Sequence, residues 1–142
     1  MSRIRNRPEM ATFHFDFVGP ERTLYSGEVT AVQLPGTEGE MTVMPGHAPV
    51  LTSLRVGVIV VTESQGSGKR IYVRGGFADI GPTAVTVLAE RAAPIEELTH
   101  ESLDRDIEAV EMQRDATEDL QKREELNGQI VQLQETKALL KL

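Results

Sequence analysis

The sequence predicts a β + α fold, in which an N-terminal β-sandwich or flattened barrel is followed by a C-terminal antiparallel α-helical hairpin. Three observations predict this class. Short apolar runs separated by Gly and Pro fill residues 12–91, which is typical of an all-β domain. No Pro follows Pro94, and apolar residues then recur at helical spacing. The formal net charge of −7 arises entirely after residue 93, because the preceding part holds equal numbers of acidic and basic side chains.

The first predicted strand covers residues 12–18 and has the clearest alternation in the chain. Phe13, Phe15 and Phe17 share one face and polar residues separate them, so the strand is expected to be buried on one side. Basic residues do not flank the three rings. We therefore interpret the rings as core packing and not as a platform on which nucleic-acid bases stack.

Six more strands complete the predicted β domain. They cover residues 29–34, 40–44, 56–62, 70–73, 77–80 and 85–88, and Gly- or Pro-containing turns separate most of them. Gly75-Gly76 is expected to form a bulge or a close backbone approach, and Phe77 is expected to anchor the core. No helical segment separates these strands, which argues against a parallel α/β sheet.

One segment, Gly66-Ser67-Gly68-Lys69, has a superficial likeness to a phosphate-binding loop. Such a loop needs a Gly separated by four residues from its Gly-Lys pair and a Ser or Thr after the Lys. Glu63 and Arg70 occupy these two positions. We interpret the segment as a hairpin turn that joins two strands.

The C-terminal part predicts two helices, near residues 100–116 and 120–140. Thr99 and Ser102 are both candidates for the first N-cap, and Leu103, Ile107 and Val110 form a narrow apolar face. The second helix carries Leu126, Ile130, Leu133 and Leu140 at similar spacing. Because both faces are narrow, the hairpin is expected to be marginally stable unless it docks on another surface.

Gly128 interrupts the second predicted helix. In a helix interior Gly costs about 1 kcal/mol relative to Ala. Two interpretations stay open: the residue permits a close helix crossing, or it is a weak point of the helix.

The domain prediction divides the chain into residues 1–11, 12–91 and 92–142. The first range holds Arg residues without an apolar segment, unlike a secretory signal. We expect it to be a disordered extension, and translation from Met10 is an open alternative. No apolar run of about 18 residues occurs, so direct membrane insertion is not expected.

Composition excludes several classes of activity. The chain has no Cys, which excludes disulfides and thiol catalysis. His14, His47 and His100 lie far apart in sequence, so no metal site or cofactor is predicted. An acidic C-terminal third does not favour nucleic acid as a partner. A small hydrolase would need a convergent polar pocket, and no set of residues here forms one.

Residues 34–50, LPGTEGEMTVMPGHAPV, carry the candidate functional residues. Pro35-Gly36 and Pro45-Gly46 are turn-forming pairs, and they bracket Glu38 and Glu40 on an expected exposed tip. The two carboxylates fit a solvated loop or an interface loop better than an acid–base pair. His47 fits a residue that fixes a tight turn, with an interface contact as the alternative.

This segment, together with Gly75-Gly76-Phe77, resembles the epsilon subunit of rotary F-type ATP synthases. The shared patterns are LPG-x-x-G, PGHAP and GGF, and the resemblance runs from about Thr12 to the C-terminus. It implies a non-catalytic central-stalk subunit that links the gamma subunit to the c-ring and couples proton flow to ATP synthesis. It also implies a peripheral location on the cytoplasmic side of a bacterial inner membrane.

The resemblance assigns residues as well. It implies that one group faces the c-ring: Glu38, Gly39, Glu40, Met41 and His47. It implies no catalytic residue and no cofactor. A free-standing adaptor with a β-domain and a protein-binding hairpin is the alternative, since it would show the same periodicities without affinity for the stalk or the ring.

Some bacterial members of this family bind ATP through a pattern like [IL]-D-x-x-R-A-x-x-A-x-x-R. Leu103, Asp104 and Arg114 match it, but Ile107 replaces the first Arg and Glu108 replaces an Ala. Because Arg is the side chain best suited to phosphate oxygens, we expect no ATP binding. The hairpin of some members also contacts the alpha/beta catalytic head and inhibits rotation. The acidity of this hairpin predicts weak inhibition.

Overall fold

The computed structural model describes residues 11–64 and 68–140. Ten strands form the N-terminal part: β1 (Phe13–Val18), β2 (Thr23–Val29), β3 (Ala31–Gly36), β4 (Gly39–Val43), β5 (Val50–Leu54), β6 (Gly57–Thr62), β7 (Lys69–Val73), β8 (Gly76–Ile80), β9 (Ala84–Ala89) and β10 (Ala92–Pro94). A 3-10 turn (Ile95–Glu97) precedes the helices α1 (His100–Ala116) and α2 (Leu120–Leu140). The predicted order of a β domain and then two helices is confirmed. The predictions for residues 1–10 lie outside the described residues.

The strands form one hydrogen-bonded sheet with the order β10-β7-β6-β3-β5-β8-β9-β1-β2. β4 lies off this path and pairs with β3. Each pair is antiparallel except β1 with β9, which is parallel. The sheet wraps around a single core as a sandwich or nearly closed barrel, which confirms the predicted architecture.

Side-chain and backbone bonds join strands near the two ends of this path. The backbone N–H of Thr30 donates to the Thr62 carbonyl at 2.9 Å, and the Tyr25 hydroxyl donates to the Glu63 carboxylate at 2.5 Å. Partial burial, followed by this hydrogen bond, raises the pKa of Tyr25 to about 12. The contacts hold β2 against the end of β6 and so bring the sheet close to closure.

The core contains buried apolar side chains from each of the first nine strands. Phe13, Phe15 and Phe17 are almost completely buried, as the alternation of β1 predicts. The rings of Phe15 and Phe17 meet edge to face with centroids 6.2 Å apart, a favourable geometry for aromatic pairs. The three rings therefore supply the large side chains of a core that otherwise consists mainly of Val, Ile and Leu.

The prediction that Phe77 anchors the core is wrong. Phe77 is 53% exposed, whereas Ala78 and Ile80 on the same strand are buried. Strand side chains alternate between faces, so the burial of Ala78 places Phe77 on the outer face. The neighbouring prediction for Gly75-Gly76 is confirmed. Gly76 has φ +137°, and a Cβ there would collide with the Leu88 carbonyl oxygen.

Three strands were not predicted: β2, β5 and β10. In β2 the pair Ser26-Gly27 has the composition of a turn, which argues against a strand there, yet pairing with β1 keeps it extended. β5 is exposed along much of its length, so its sequence lacks an apolar alternation. β10 adds Ala92–Pro94 to β7, and the compact β unit therefore ends at Pro94, slightly beyond the predicted boundary.

The segment interpreted as a hairpin turn, Gly66-Ser67-Gly68-Lys69, lies partly outside the described residues. The strands on its two sides, β6 and β7, pair antiparallel. A chain reversal between them fits the predicted turn and does not open a helix, which a phosphate-binding loop requires.

The second compact unit begins at Ile95 and contains both helices. Thr99 is the N-cap of α1: its hydroxyl accepts from the Ser102 N–H, and the Ser102 hydroxyl accepts from the Thr99 N–H, each at 3.0 Å. This reciprocal capping box decides between the two N-cap candidates. The helix bounds match the predicted ranges. None of the helices that the structure describes has both the length and the apolar character needed to cross a membrane.

The buried faces of the helices differ in detail from the prediction. On α1 Leu103, Asp106 and Val110 are buried, whereas Ile107 is only half-buried. The buried side chains of α2 are Leu126, Ile130, Leu133 and Thr136, and Leu140 is half-buried. Thr136 is compatible with burial because its hydroxyl donates to the Gln132 carbonyl at 2.8 Å.

Candidate functional site

The β3–β4 hairpin ends in a two-residue turn formed by Thr37 and Glu38. Gly36 and Gly39 face each other across the turn, and Gly39 has φ +132°, a conformation that favours glycine. A Cβ on Gly36 would lie 2.9 Å from the Gly39 carbonyl oxygen. Both glycines are therefore needed for this tight turn, and Glu38 and Gly39 are exposed at its tip.

The hairpin tip is held by the neighbouring chain. The Thr37 N–H donates to the Ser53 carbonyl at 3.0 Å, and the Arg55 N–H donates to the Pro35 carbonyl at 2.9 Å. These bonds tie both sides of the turn to β5 and the residues that follow it. The two hydrogen bonds therefore hold the hairpin tip in place relative to the rest of the sheet.

Glu40 is exposed at the start of β4, just beyond the turn. Its Oε1 atom accepts a hydrogen bond from Gln33 Nε2 at 2.9 Å. The predicted site residue Met41 differs from the others because its side chain is half-buried and packs against the core. The structure thus places Glu38, Gly39 and Glu40 together at an exposed acidic tip. The side chain of Met41 lies next to this tip and packs against the core.

His47 lies in a second loop, which backbone bonds fix. The Gly46 N–H donates to the Pro82 carbonyl at 2.9 Å, and the His47 N–H donates to the Met44 carbonyl at 3.2 Å. His47 Nδ1 lies 2.7 Å from the Ala48 carbonyl oxygen, which can only accept, so Nδ1 carries the proton. This geometry is that of a histidine that fixes a tight turn. Its role as an interface contact stays a prediction.

Sequence reasoning missed an exposed apolar surface on β5, β8 and β9, which we call the outer apolar patch: Leu51, Phe77 and Leu88. These side chains are 70%, 53% and 56% exposed. Phe77 lies opposite Leu88 in the β8–β9 register, and Leu51 lies on the adjacent strand opposite Asp79. A cluster of large apolar side chains on an outer sheet face is typical of a protein-binding surface.

A sequence signal for this patch exists in β8. Phe77 and Asp79 are two residues apart, so they share one face of the strand. A charged residue at the second position indicates that this face is exposed. Phe77 is therefore outward-facing on the same alternation that places Ala78 and Ile80 inside.

The outer face also carries a polar cluster around His14. His14 Nδ1 lies 3.1 Å from Glu28, His14 Nε2 lies 3.1 Å from Asp16, and the Ser26 hydroxyl donates to Asp16 at 2.6 Å. The hydrogen bond with Glu28 contributes most to a raised pKa of His14. The bond from Ser26 contributes most to a lowered pKa of Asp16. Both shifts favour the charged forms.

The positions that match the ATP-binding pattern are used within the hairpin. Asp104 Oδ1 accepts from Lys137 Nζ at 2.6 Å. Arg114 Nη1 donates to Asn127 at 3.0 Å, and its Nε donates to Asp115 at 3.1 Å. Leu103 is buried and Ile107 is half-buried, while Asp104 and Arg114 connect the two helices.

Within residues 11–64 and 68–140, no group of three His, Asp or Glu side chains is placed to hold a metal ion. The candidate functional features of the β unit are the acidic tip, the loop with His47 and the outer apolar patch.

Comparison with known proteins gives a consistent result. A family model described as the beta-sandwich domain of the ATP synthase Delta/Epsilon chain matches residues 12–95. The ATP synthase epsilon chain of Jannaschia sp. (strain CCS1) is 51% identical over 110 residues, which cover 78% of this chain and 83% of the relative. The ATP synthase epsilon chain of Rhizobium leguminosarum bv. trifolii (strain WSM2304) is 50% identical over 106 residues, which cover 75% and 78%.

A solved structure has a similar fold. The chain resembles one in the cryo-EM structure of Euglena gracilis mitochondrial ATP synthase, OSCP/F1/c-ring in rotational state 1, with a TM-score of 0.71. The match covers 92% of this chain and 82% of the other at 24% identity. At that identity the likeness shows the fold alone.

Proposed function

The chain belongs to the ATP synthase epsilon chain family, and we propose that it is the non-catalytic central-stalk subunit that joins the gamma subunit to the c-ring. In this role it makes and breaks no bond. It transmits torque between proton flow through the ring and ATP synthesis in the catalytic head. The proposed location is the cytoplasmic side of a bacterial inner membrane, because the relatives that share about half of its residues are bacterial.

The observation that carries this proposal is the rigid acidic tip of the β3–β4 hairpin. Glu38 and Glu40 are exposed on a turn that two backbone bonds tie to β5 and its continuation. A charged tip that backbone hydrogen bonds hold in place can transmit force to the protein that it contacts. We propose that Glu38, Gly39 and Glu40 contact the polar loops of the c-ring, with Met41 and His47 shaping the surface.

The outer apolar patch is the second contact surface in the proposal, and we assign it to the gamma subunit. β5 connects the two surfaces: the Ser53 carbonyl holds the tip through Thr37, and Ser53 itself lies opposite Phe77. The patch and the tip are therefore neighbours with different chemistry. Such an arrangement suits a subunit placed where two partners meet, one apolar and one polar.

The hairpin is the proposed regulatory part. We infer that it contributes little inhibition of ATP hydrolysis, because residues 94–142 account for the whole net charge of −7. Contact with an acidic surface of the alpha/beta catalytic head is opposed by this charge.

Co-purification tests the proposed function directly. A tagged full-length chain is expressed in its source bacterium, and detergent-solubilised membranes are passed over the affinity matrix. Recovery of gamma and c subunits is expected for the wild type, and reduced recovery of c subunit for the Glu38→Gln/Glu40→Gln double variant. The matched control is Glu21→Gln/Glu90→Gln, which changes charge by the same amount at exposed positions of the same unit. Recovery of neither subunit would favour the free-standing adaptor.

A further inference from the structure

We propose that Gln33 is a positioning residue that holds the Glu40 carboxylate for recognition of a cationic side chain, a guanidinium or an ammonium, on the c-ring. Glu40, and not Glu38, is then the carboxylate on which affinity depends. The inference rests on the proposed function, since it names the recognition chemistry of the same acidic tip. It adds a residue that lies outside the tip itself.

Gln33 is well placed to hold another side chain. It lies on β3 and is in register with Thr42 on β4 and with Val60 on β6. A residue paired on both sides has its backbone fixed by two ladders. Its Nε2 donates to Glu40 Oε1 at 2.9 Å, within the normal range for such a bond.

Glu40 needs this support because of where it lies. It is exposed on β4, a strand that pairs with β3 and lies off the main path of the sheet. A long exposed side chain samples many rotamers, and a partner that binds it must immobilise it. The bond from Gln33 reduces this cost before the partner arrives.

The chemistry of the supporting group also favours recognition of a cation. An amide is neutral, so it orients the carboxylate without cancelling its charge. A carboxylate has about four acceptor positions, and Gln33 uses one of them. The remaining positions stay available to a guanidinium or ammonium group, with which charge-assisted bonds are the strongest.

Glu38 lacks such support. It lies in the turn next to Gly39, and its side chain makes no hydrogen bond to any residue that the structure describes. Glu38 and Glu40 are two residues apart and both exposed. The side-chain bond distinguishes them.

The test measures affinity of the full-length chain for the detergent-solubilised gamma–c-ring subcomplex of the same ATP synthase. Gln33→Met keeps length and removes the donor. We expect it to weaken binding about three- to ten-fold, the cost of immobilising one free side chain. Glu40→Gln is expected to weaken binding more than Glu38→Gln. Thr42→Val, at the position opposite Gln33, is the matched control and should leave affinity unchanged.

A double-mutant cycle separates positioning from a structural role. In the Glu40→Gln background, Gln33→Met should cause no further loss, and the salt dependence of binding should be equally weak in both. An equal loss in both backgrounds would overturn the proposal. So would a larger loss from Glu38→Gln than from Glu40→Gln. Gln33→Thr, a good strand former, serves as a second variant if Gln33→Met folds poorly.

Failure of the proposed function looks different. In that case the wild-type chain does not bind the subcomplex, or binds it with no change when both tip carboxylates are removed. Loss of the Gln33 effect alone, with Glu40 still important, overturns only the positioning inference.

Discussion

Lys137 and Asp104 form an ion pair that joins the last turn of α2 to the N-terminal part of α1, with Nζ 2.6 Å from Oδ1. The relationship matters because Asp104 occupies a matching position of the nucleotide-binding pattern. Arg114, at another matching position, donates to Asn127 across the helices. In this chain, Asp104 and Arg114 connect the two helices to each other.

We therefore predict that ATP does not bind. Ile107 supplies no donor where the pattern has Arg, Glu108 adds a negative charge, and Arg114 already has two partners. Isothermal titration calorimetry of the full chain with MgATP should show no heat of binding in the micromolar range. Micromolar affinity in that titration would contradict the prediction.

Replacing Gly128 with Ala is predicted to stabilise the hairpin by about 1 kcal/mol. Gly128 lies inside α2, and an added Cβ would meet no atom within 4 Å, so the close helix crossing considered from sequence is wrong. The measurement is helix unfolding followed by circular dichroism. Gly76→Ala is the contrasting variant and is expected to destabilise the β unit. Gly76 has a positive φ, and a Cβ there would collide with the Leu88 carbonyl oxygen. A lower stability of Gly128→Ala would contradict the prediction.

The pKa of His14 is predicted to lie above its ordinary value of 6.5 and to fall when Glu28 is changed to Gln. A raised folded-state pKa stabilises the fold below pH 6.5, and this contribution is lost as pH rises through the raised value. Asp16 has the opposite sign: its lowered pKa stabilises above the ordinary 3.8 and is lost in acid. NMR titration of the His14 ring in both proteins checks the shift, and identical titrations would refute it.

Phe77→Ser is predicted to weaken gamma-subunit binding about ten-fold or more, because exposed aromatic residues at interface centres often dominate affinity. Stability should change by no more than about 0.5 kcal/mol, as expected of a surface position. Phe15→Ala, in the core, should instead cost about 3–5 kcal/mol. Binding assays and denaturant unfolding of the two variants distinguish these effects. Equal binding by wild type and Phe77→Ser would remove the patch from the proposed interface.

Truncation after Pro94 is predicted to raise ATP hydrolysis by the assembled complex less than about two-fold, since the acidic hairpin is repelled by acidic surfaces. The cut follows β10, so the whole sheet is retained. Hydrolysis is measured in membranes carrying either form at equal occupancy. A large rise would show that this hairpin inhibits strongly in spite of its charge.

The helices were predictable because their signals are local. Thr99 and Ser102 form a capping box within four residues, and the start of α1 follows from it. Polar residues between Ala116 and Leu120 set the turn. Asp106 is the exception, since it is buried where apolar spacing selects Ile107.

The strands were only partly predictable, because pairing overrides local propensity in a sheet. Ser26-Gly27 has the composition of a turn, but in the structure it lies in β2 and pairs with β1. The exposure of the tip carboxylates followed from turn chemistry alone. The Gln33–Glu40 bond did not, because it depends on the register between β3 and β4, which no local pattern specifies.

The parallel pairing of β1 with β9 has a consequence for how the chain is made. His14 to Val18 align with Ala84 to Leu88, so the edge of the strand that carries the phenylalanine row stays open until nearly all of the β unit has left the ribosome. Pairing over such a separation is slow. We therefore expect the sheet around the three rings of β1 to close only when β9 pairs with it, which makes this parallel pair a late step of folding.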